Sequence, residues 1–256
     1  MALRNGKFFL AALILPAFLL LNNLLFEAAL AQPNQSSLES MMRQAEAFSE
    51  QDDVESALDV YGKVLAANPG YSRAYYLRAL LLWSKDRRDA AASDLEKCMK
   101  LEPSEQPARF LTIIYLEQKK YQRGLVAAKT LVKIKEGDRN HALLVDMLIG
   151  LKRYNEAIVE STVWIKGKKK PTALLRARSI CYFETKQYDK ALADCNTLIG
   201  LKPNLMKSYE LRAKIYQAKG MNELAASDLK HKTAGGDEVY DVAPFRGRDR
   251  ILEGRH

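Results

Sequence analysis

The chain has little of what catalytic and metal-binding proteins are built around. Of its 256 residues only three are histidine and three cysteine. His141, His231 and His256 stand apart, none with a second His, Cys or carboxylate at metal-ligand spacing, which excludes the usual zinc signatures. A glycine-rich phosphate loop and a nucleophile elbow are both missing. The paired acids Asp52-Asp53 and Asp237-Glu238 fall at a turn and in a polar tail, where solvated carboxylates are ordinary. Together these absences argue against an enzyme and against any bound cofactor.

Cysteine is scarce in an informative way. None precedes Cys98, so a lipid-modified cysteine near the N-terminus is excluded. Cys98, Cys181 and Cys195 each lie among apolar neighbours in a helical pattern and read as buried free thiols. An odd count leaves at least one without an internal partner. The alternative, a Cys181–Cys195 bridge, meets a register problem. Folding that hairpin about Lys186 sets Cys195 opposite Ala177, about one turn from Cys181, whereas a disulfide needs Cα atoms within about 7 Å.

Long apolar runs are lacking outside the first 31 residues. There Arg4 and Lys7 precede FFLAALILPAFLLL, and Ala29-Leu30-Ala31 follows, the order of a secretory signal peptide with Gln32 as the new N-terminus. Asn22 and Asn23 cut the run short of the ~20 apolar residues of a spanning helix. An uncleaved anchor helix running through Phe26 is the other reading. The expected location is therefore outside the cytoplasm, periplasmic or secreted, with membrane anchoring as the alternative. A net charge of +9 favours anionic surfaces and acidic partners at long range. The charge is spread too evenly to indicate nucleic acid. Lys168-Lys169-Lys170 lies in a junction and reads as a solvated loop, with anionic lipid or glycan as its alternative partner.

What the chain does have is a repeat. Small residues recur at Ala57, Ala91, Gly124, Ala157, Ala191 and Ala225, spaced 34, 33, 33, 34 and 34 residues apart. The string AASDL at Ala91–Leu95 returns unchanged at Ala225–Leu229. Each unit carries two amphipathic stretches with a tight turn between them, and Pro69, Pro103 and Pro203 close three of the units. A period near 34 residues predicts an array of helix–turn–helix units, none of which buries its apolar face alone.

The residues at fixed places within each unit resemble the tetratricopeptide repeat. They are Ala45, Phe48, Ala57, Tyr61 and Pro69 in the first unit, and Ser179, Tyr182, Ala191, Cys195 and Pro203 in the fifth. Ala213, Tyr216, Ala225 and Leu229 follow in the sixth, and Tyr121, Tyr154 and Tyr188 recur three residues before the second small residue. The resemblance covers residues 38–232 and implies an all-α, right-handed α-solenoid of about six helix–turn–helix repeats. Thr112, Val145 and Trp164 depart from the pattern, as do the junctions at Gly137 and at Gly167–Pro171. Looser or differently angled packing is expected there.

The resemblance also implies a ligand groove lined by the first helix of each unit. Carried over by position, its residues are Arg73, Tyr76, Leu80 and Trp83, then Arg109, Ile113 and Leu116, then Arg139 and Ile149, then Arg176, Ile180 and Phe183, and finally Lys207 and Lys214. Arginines between large apolar residues suit an extended peptide with hydrophobic anchors and a carboxylate. Leu80 and Ile113 are equally compatible with packing between helices. The cationic clamp by which some members hold chaperone tails is absent, since its places hold Met42, Glu46, Leu77, Gln106 and Phe110. The tail, 233–256, reads as polar and largely disordered, although Val239–Phe245 is expected to fold back over Leu224 and Leu229. The function expected is that of a non-catalytic scaffold for a protein or peptide. The alternative is a membrane-tethered envelope-assembly factor that contacts anionic lipid or polysaccharide.

Overall fold

The computed structural model describes residues 34–167 and 171–230. The expected signal peptide, the lysine run 168–170 and the tail with its Val239–Phe245 cluster lie outside the described residues. Twelve helices and no strand occur within them: α1 (Gln35–Glu50), α2 (Val54–Ala67), α3 (Ser72–Ser84), α4 (Arg88–Leu101), α5 (Glu105–Glu117), α6 (Tyr121–Ile134), α7 (Asp138–Gly150), α8 (Tyr154–Ile165), α9 (Thr172–Glu184), α10 (Tyr188–Leu201), α11 (Met206–Ala218) and α12 (Asn222–Leu229). None of them is long and apolar enough to cross a membrane.

The chain divides into two compact units at Ala74/Tyr75. The first holds the α1–α2 hairpin, packed through Leu38, Met42 and Ala45 on α1 and Ala57, Val60 and Tyr61 on α2. Asn34 and Asp53 cap its two helices, accepting from the backbone N–H of Ser37 (2.8 Å) and Ser56 (3.3 Å). In the second unit each helix packs on the next from α4 to α12. The first helices of successive repeats, α5, α7, α9 and α11, also pack on one another. This is the all-α solenoid expected from the repeat.

One device closes every hairpin. Asp52, Asp86, Lys119, Lys152, Lys186 and Gly220 occupy the left-handed region, with φ between 56° and 75°. The next residue's N–H then reaches back to the carbonyl at the end of the first helix, as in Arg87→Leu82 (2.9 Å), Lys120→Tyr115 (2.8 Å) and Met221→Tyr216 (2.9 Å). This is the Schellman closure of a helix C-terminus. Only the sixth repeat uses glycine for it.

The middle repeats correct the expectation of loose packing. Thr112 and Val145 are wholly buried, and the Thr112 hydroxyl donates to the Ala108 carbonyl (2.7 Å). Gly124 makes the room, because a Cβ there would stand 2.4 Å from Met147 Sδ and 3.2 Å from Tyr115 Cβ. A broad apolar cluster runs through this region, from Leu125 and Ala128 to Leu174, Ala177 and Cys181.

All three cysteines are free and buried. Cys195 Sγ faces the Ser179 hydroxyl at 3.0 Å, two residues from the Ala177 expected by folding about Lys186, and is not bridged to Cys181. Burial pushes the Cys181 thiol up to about 12 and the Cys195 thiol up to about 11, so both stay protonated.

Candidate binding groove

Within the second unit the first helices of the repeats are joined by their own side chains. Phe110 of α5 is buried and meets two α3 rings in T-shaped contacts, Tyr76 (centroids 6.3 Å apart) and Trp83 (5.5 Å). Burial pushes the Tyr76 hydroxyl up to about 12. Trp83 Nε1 donates to Glu117 (3.3 Å), which also accepts from Arg88 (3.0 Å). From α5, Arg109 donates to Asn140 Oδ1 on α7 (3.1 and 3.2 Å) and to Glu105. Asn140 is held in turn by the Lys135 carbonyl (2.8 Å).

These pairings change the reading of the arginines. Arg109 has its donors engaged inside the protein, and Arg176 lies beside the carboxylate of Asp146. Arg73 belongs to the first unit, where it pairs with Glu46 at 2.9 Å. Three of the cations expected to meet a ligand carboxylate are thus already matched by the chain's own groups. Arg139, Lys207 and Lys214 remain exposed on α7 and α11.

The apolar positions separate into two kinds. Ile113 is only 4% exposed and belongs to a core cluster with Ala108, Leu131 and Leu143, so it packs between helices and lines no open surface. Leu80 and Ile180 are half-buried. Trp83, Leu116, Ile149 and Phe183 stand at one aligned place in four successive repeats, and all four are half-buried. Leu116, Ile149 and Phe183 rest one side on core clusters, and the Phe183 ring lies 5.9 Å from that of Tyr188.

The sequence reading missed Asp146. It sits at the aligned place of Glu46, Leu80, Ile113, Ile180 and Lys214, and is the one acid among those in the second unit. Burial raises its carboxyl to about 6, with the Arg176 charge acting in the opposite direction. The signal was a carboxylate flanked in the row by Ile113 and Ile180 of the neighbouring repeats.

A second missed constellation links the two helices inside a repeat. Arg78–Asp94, Arg178–Asp194 and Arg212–Asp228 form bidentate pairs with every distance between 2.7 and 2.8 Å. Arg178 and Arg212 also reach the preceding repeat, at Thr162 (3.0 Å) and Asn196 (2.7 Å). The third repeat has Leu111 and Ala127 at these places, both apolar. In the fourth, Leu144 and Glu160 hold these places, and His141 takes that carboxylate through Nδ1 (2.6 Å). Trp164 stacks on His141 at 3.7 Å and donates to Asp138 (2.8 Å), which gives the oversized tryptophan a place. The coincidence of Arg with Asp, repeat by repeat, was legible in the sequence. Among the described residues no group of three or more His, Cys, Asp or Glu could hold a metal ion.

Comparison with known proteins agrees with this architecture. Residues 39–71 and 72–105 each match the family model of the tetratricopeptide repeat. No curated protein matches the chain in sequence. Among solved structures it is similar to a tetratricopeptide repeat protein from Parabacteroides merdae, with 18% identity, a TM-score of 0.52, and 77% of this chain and 78% of that one covered. It is also similar to the C-terminal part of a TPR repeat-containing protein from Cytophaga hutchinsonii, with 17% identity, a TM-score of 0.59, and coverage of 73% and 76%. A third is YrrB, described as a TPR protein with an unusual peptide-binding site, with 17% identity, a TM-score of 0.52, and coverage of 66% and 88%. Identities this low speak for the fold alone. With two repeats matched in sequence and the helix–turn–helix pairs stacked in series, the chain belongs to the tetratricopeptide-repeat family.

Proposed function

We propose that this chain is a non-catalytic scaffold that takes a linear peptide along the first helices of its second unit and works outside the cytoplasm. Tetratricopeptide-repeat proteins are in general interaction scaffolds, and YrrB is an example described as having a peptide-binding site. The observation that carries the reading is the row Trp83, Leu116, Ile149 and Phe183, four large apolar side chains at one repeat position that keep part of their surface in water. Such partly sheltered aromatic and aliphatic groups are the ordinary anchors of an interface. The internally paired arginines favour apolar anchoring over carboxylate capture.

The spacing suggests what the peptide looks like. Packed helices lie about 8–10 Å apart, and a chain in the polyproline II conformation advances about 3.1 Å per residue with three residues per turn. A peptide bound in that form presents a large apolar residue to the row at about every third position. Selection of displayed linear peptides against the purified protein should return that spacing. Trp83→Ala with Ile180→Ala should weaken the selected peptide at least tenfold while leaving helical circular dichroism intact. Selected peptides without the spacing, or binding indifferent to the two substitutions, would overturn the groove. The location rests on the order of basic, apolar and Ala-Leu-Ala segments before Gln32. N-terminal sequencing of the protein from its native source should begin at Gln32, and residues before Phe26 on that form would count against export by cleavage.

A further inference from the structure

The second helices of the third and fourth repeats leave three valines in water. Val126 on α6 is 64% exposed, and Val159 and Val163 on α8 are 64% and 70% exposed. Val126 and Val159 hold the same place in successive repeats, and Val163 lies one turn beyond. The corresponding places elsewhere are polar or small: Asp59 and Lys63, Ser93 and Lys97, Ala193 and Thr197, and Ser227. A β-branched residue on an open helix face loses rotamer freedom without packing to offset the loss. Nothing in the fold asks for valine at these three points.

The surroundings are positive. Lys129 and Lys133 follow Val126 at helical spacing, Lys166 follows Val163 just past the end of α8, and all three are exposed. Helix α6 has no acidic residue. The Arg153 hydrogen bond holds the Glu156 carboxyl below its ordinary range, and Lys129 of α6 is near enough to α8 for its charge to act on that carboxyl in the same direction. The acids of α8 are otherwise engaged, Glu156 with Arg153 (2.5 Å) and Glu160 with His141 (2.6 Å). The face is therefore a small apolar centre rimmed by lysines.

We propose that this face of α6 and α8 is a peripheral contact for an anionic lipid surface, with the valines at the headgroup–acyl boundary and Lys129, Lys133 and Lys166 among the phosphates. Three valines expose on the order of a few hundred Å² at most, too little for the roughly 1,000 Å² of a stable protein–protein interface. A bilayer sets no such minimum, since each inserted methyl and each lysine near the surface adds to partitioning on its own. The contact is independent of the peptide groove, which uses the first helices.

The test uses the full chain with Val163→Cys carrying an environment-sensitive fluorophore. The native thiols are buried, so labelling is selective. A second protein labelled at Ser93→Cys, the place in the second repeat that matches Val126 and Val159, is the comparison. Vesicles of phosphatidylcholine with phosphatidylglycerol should shift the label at 163 to the blue and leave that at 93 unchanged. Each Lys→Gln change at 129, 133 or 166 should lower vesicle affinity about fivefold. Equal shifts at both sites, no shift at 163, or affinity insensitive to the lysines would overturn the proposal. A shift at 163 that grows with protein concentration in the absence of lipid would instead assign the face to a second copy of the chain, and would overturn it as well.

Discussion

Single residues here are explained by what surrounds them more than by what they are. Asp146 is an ordinary carboxylate in the sequence, but burial raises it to about 6 against the usual 3.8, with Arg176 pulling the other way. The folded state then keeps a proton that the unfolded chain has already lost. The stability from this group is complete below about pH 4 and falls as pH rises through about 6, by about 3 kcal/mol at most. Urea midpoints measured across that window should show this fall, and Asp146→Asn should flatten it. An unchanged slope in the variant would mean another group titrates there. Gly150 makes the same point sterically, since a Cβ would come within 2.3 Å of the Tyr121 ring. Gly150→Ala should lower stability by about 1–3 kcal/mol, read from denaturant unfolding, despite the better helix propensity of alanine. A more stable variant would show that Tyr121 is free to move.

At the scale of helices, the paired stretches of the second to sixth repeats are tied by one of three solutions around a shared place, where the first repeat has Gln44 and Val60. Three repeats use a bidentate arginine and aspartate, one an apolar pair, and one a histidine with glutamate. Arg178 and Asp194 have side chains only 15% and 8% exposed, so removing one partner strands a sheltered charge. Arg178→Leu is expected to cost about 3–5 kcal/mol. Adding Asp194→Ala, which copies Leu111 and Ala127 of the third repeat, should restore most of that loss. A double-mutant cycle by urea unfolding measures the coupling, and simple additivity of the two changes would show that the pair does not act as a unit.

For the whole molecule, a chain expected to leave the cytoplasm holds three cysteines and no disulfide. Cys98 is buried, and Cys181 and Cys195 are protonated as well as buried. An aromatic disulfide reagent should therefore label essentially none of the three in the native protein and all three after denaturation. Reductant should leave the melting temperature unchanged, since there is no loop-closing bond to break. Rapid native labelling of even one thiol would reveal local opening of the repeat that contains it.

The six-unit period, the small residues facing across each hairpin and the turns between helices were determined by sequence, because helical amphipathicity and a fixed repeat length leave one consistent way to bury the apolar faces. The register that separates Cys181 from Cys195 was legible for the same reason. Only the tertiary structure decided which polar groups meet. Arg109 and Arg176 look like ligand-seeking cations in the sequence, but neighbouring first helices bring them Asn140 and Asp146. Ile113 and Ile180 are the same residue at the same repeat position, yet one is enclosed by Leu131 and Leu143 and the other is half-open. Distances between repeats depend on packing at each junction, as where Gly124 admits Met147, and a one-dimensional pattern does not encode that spacing.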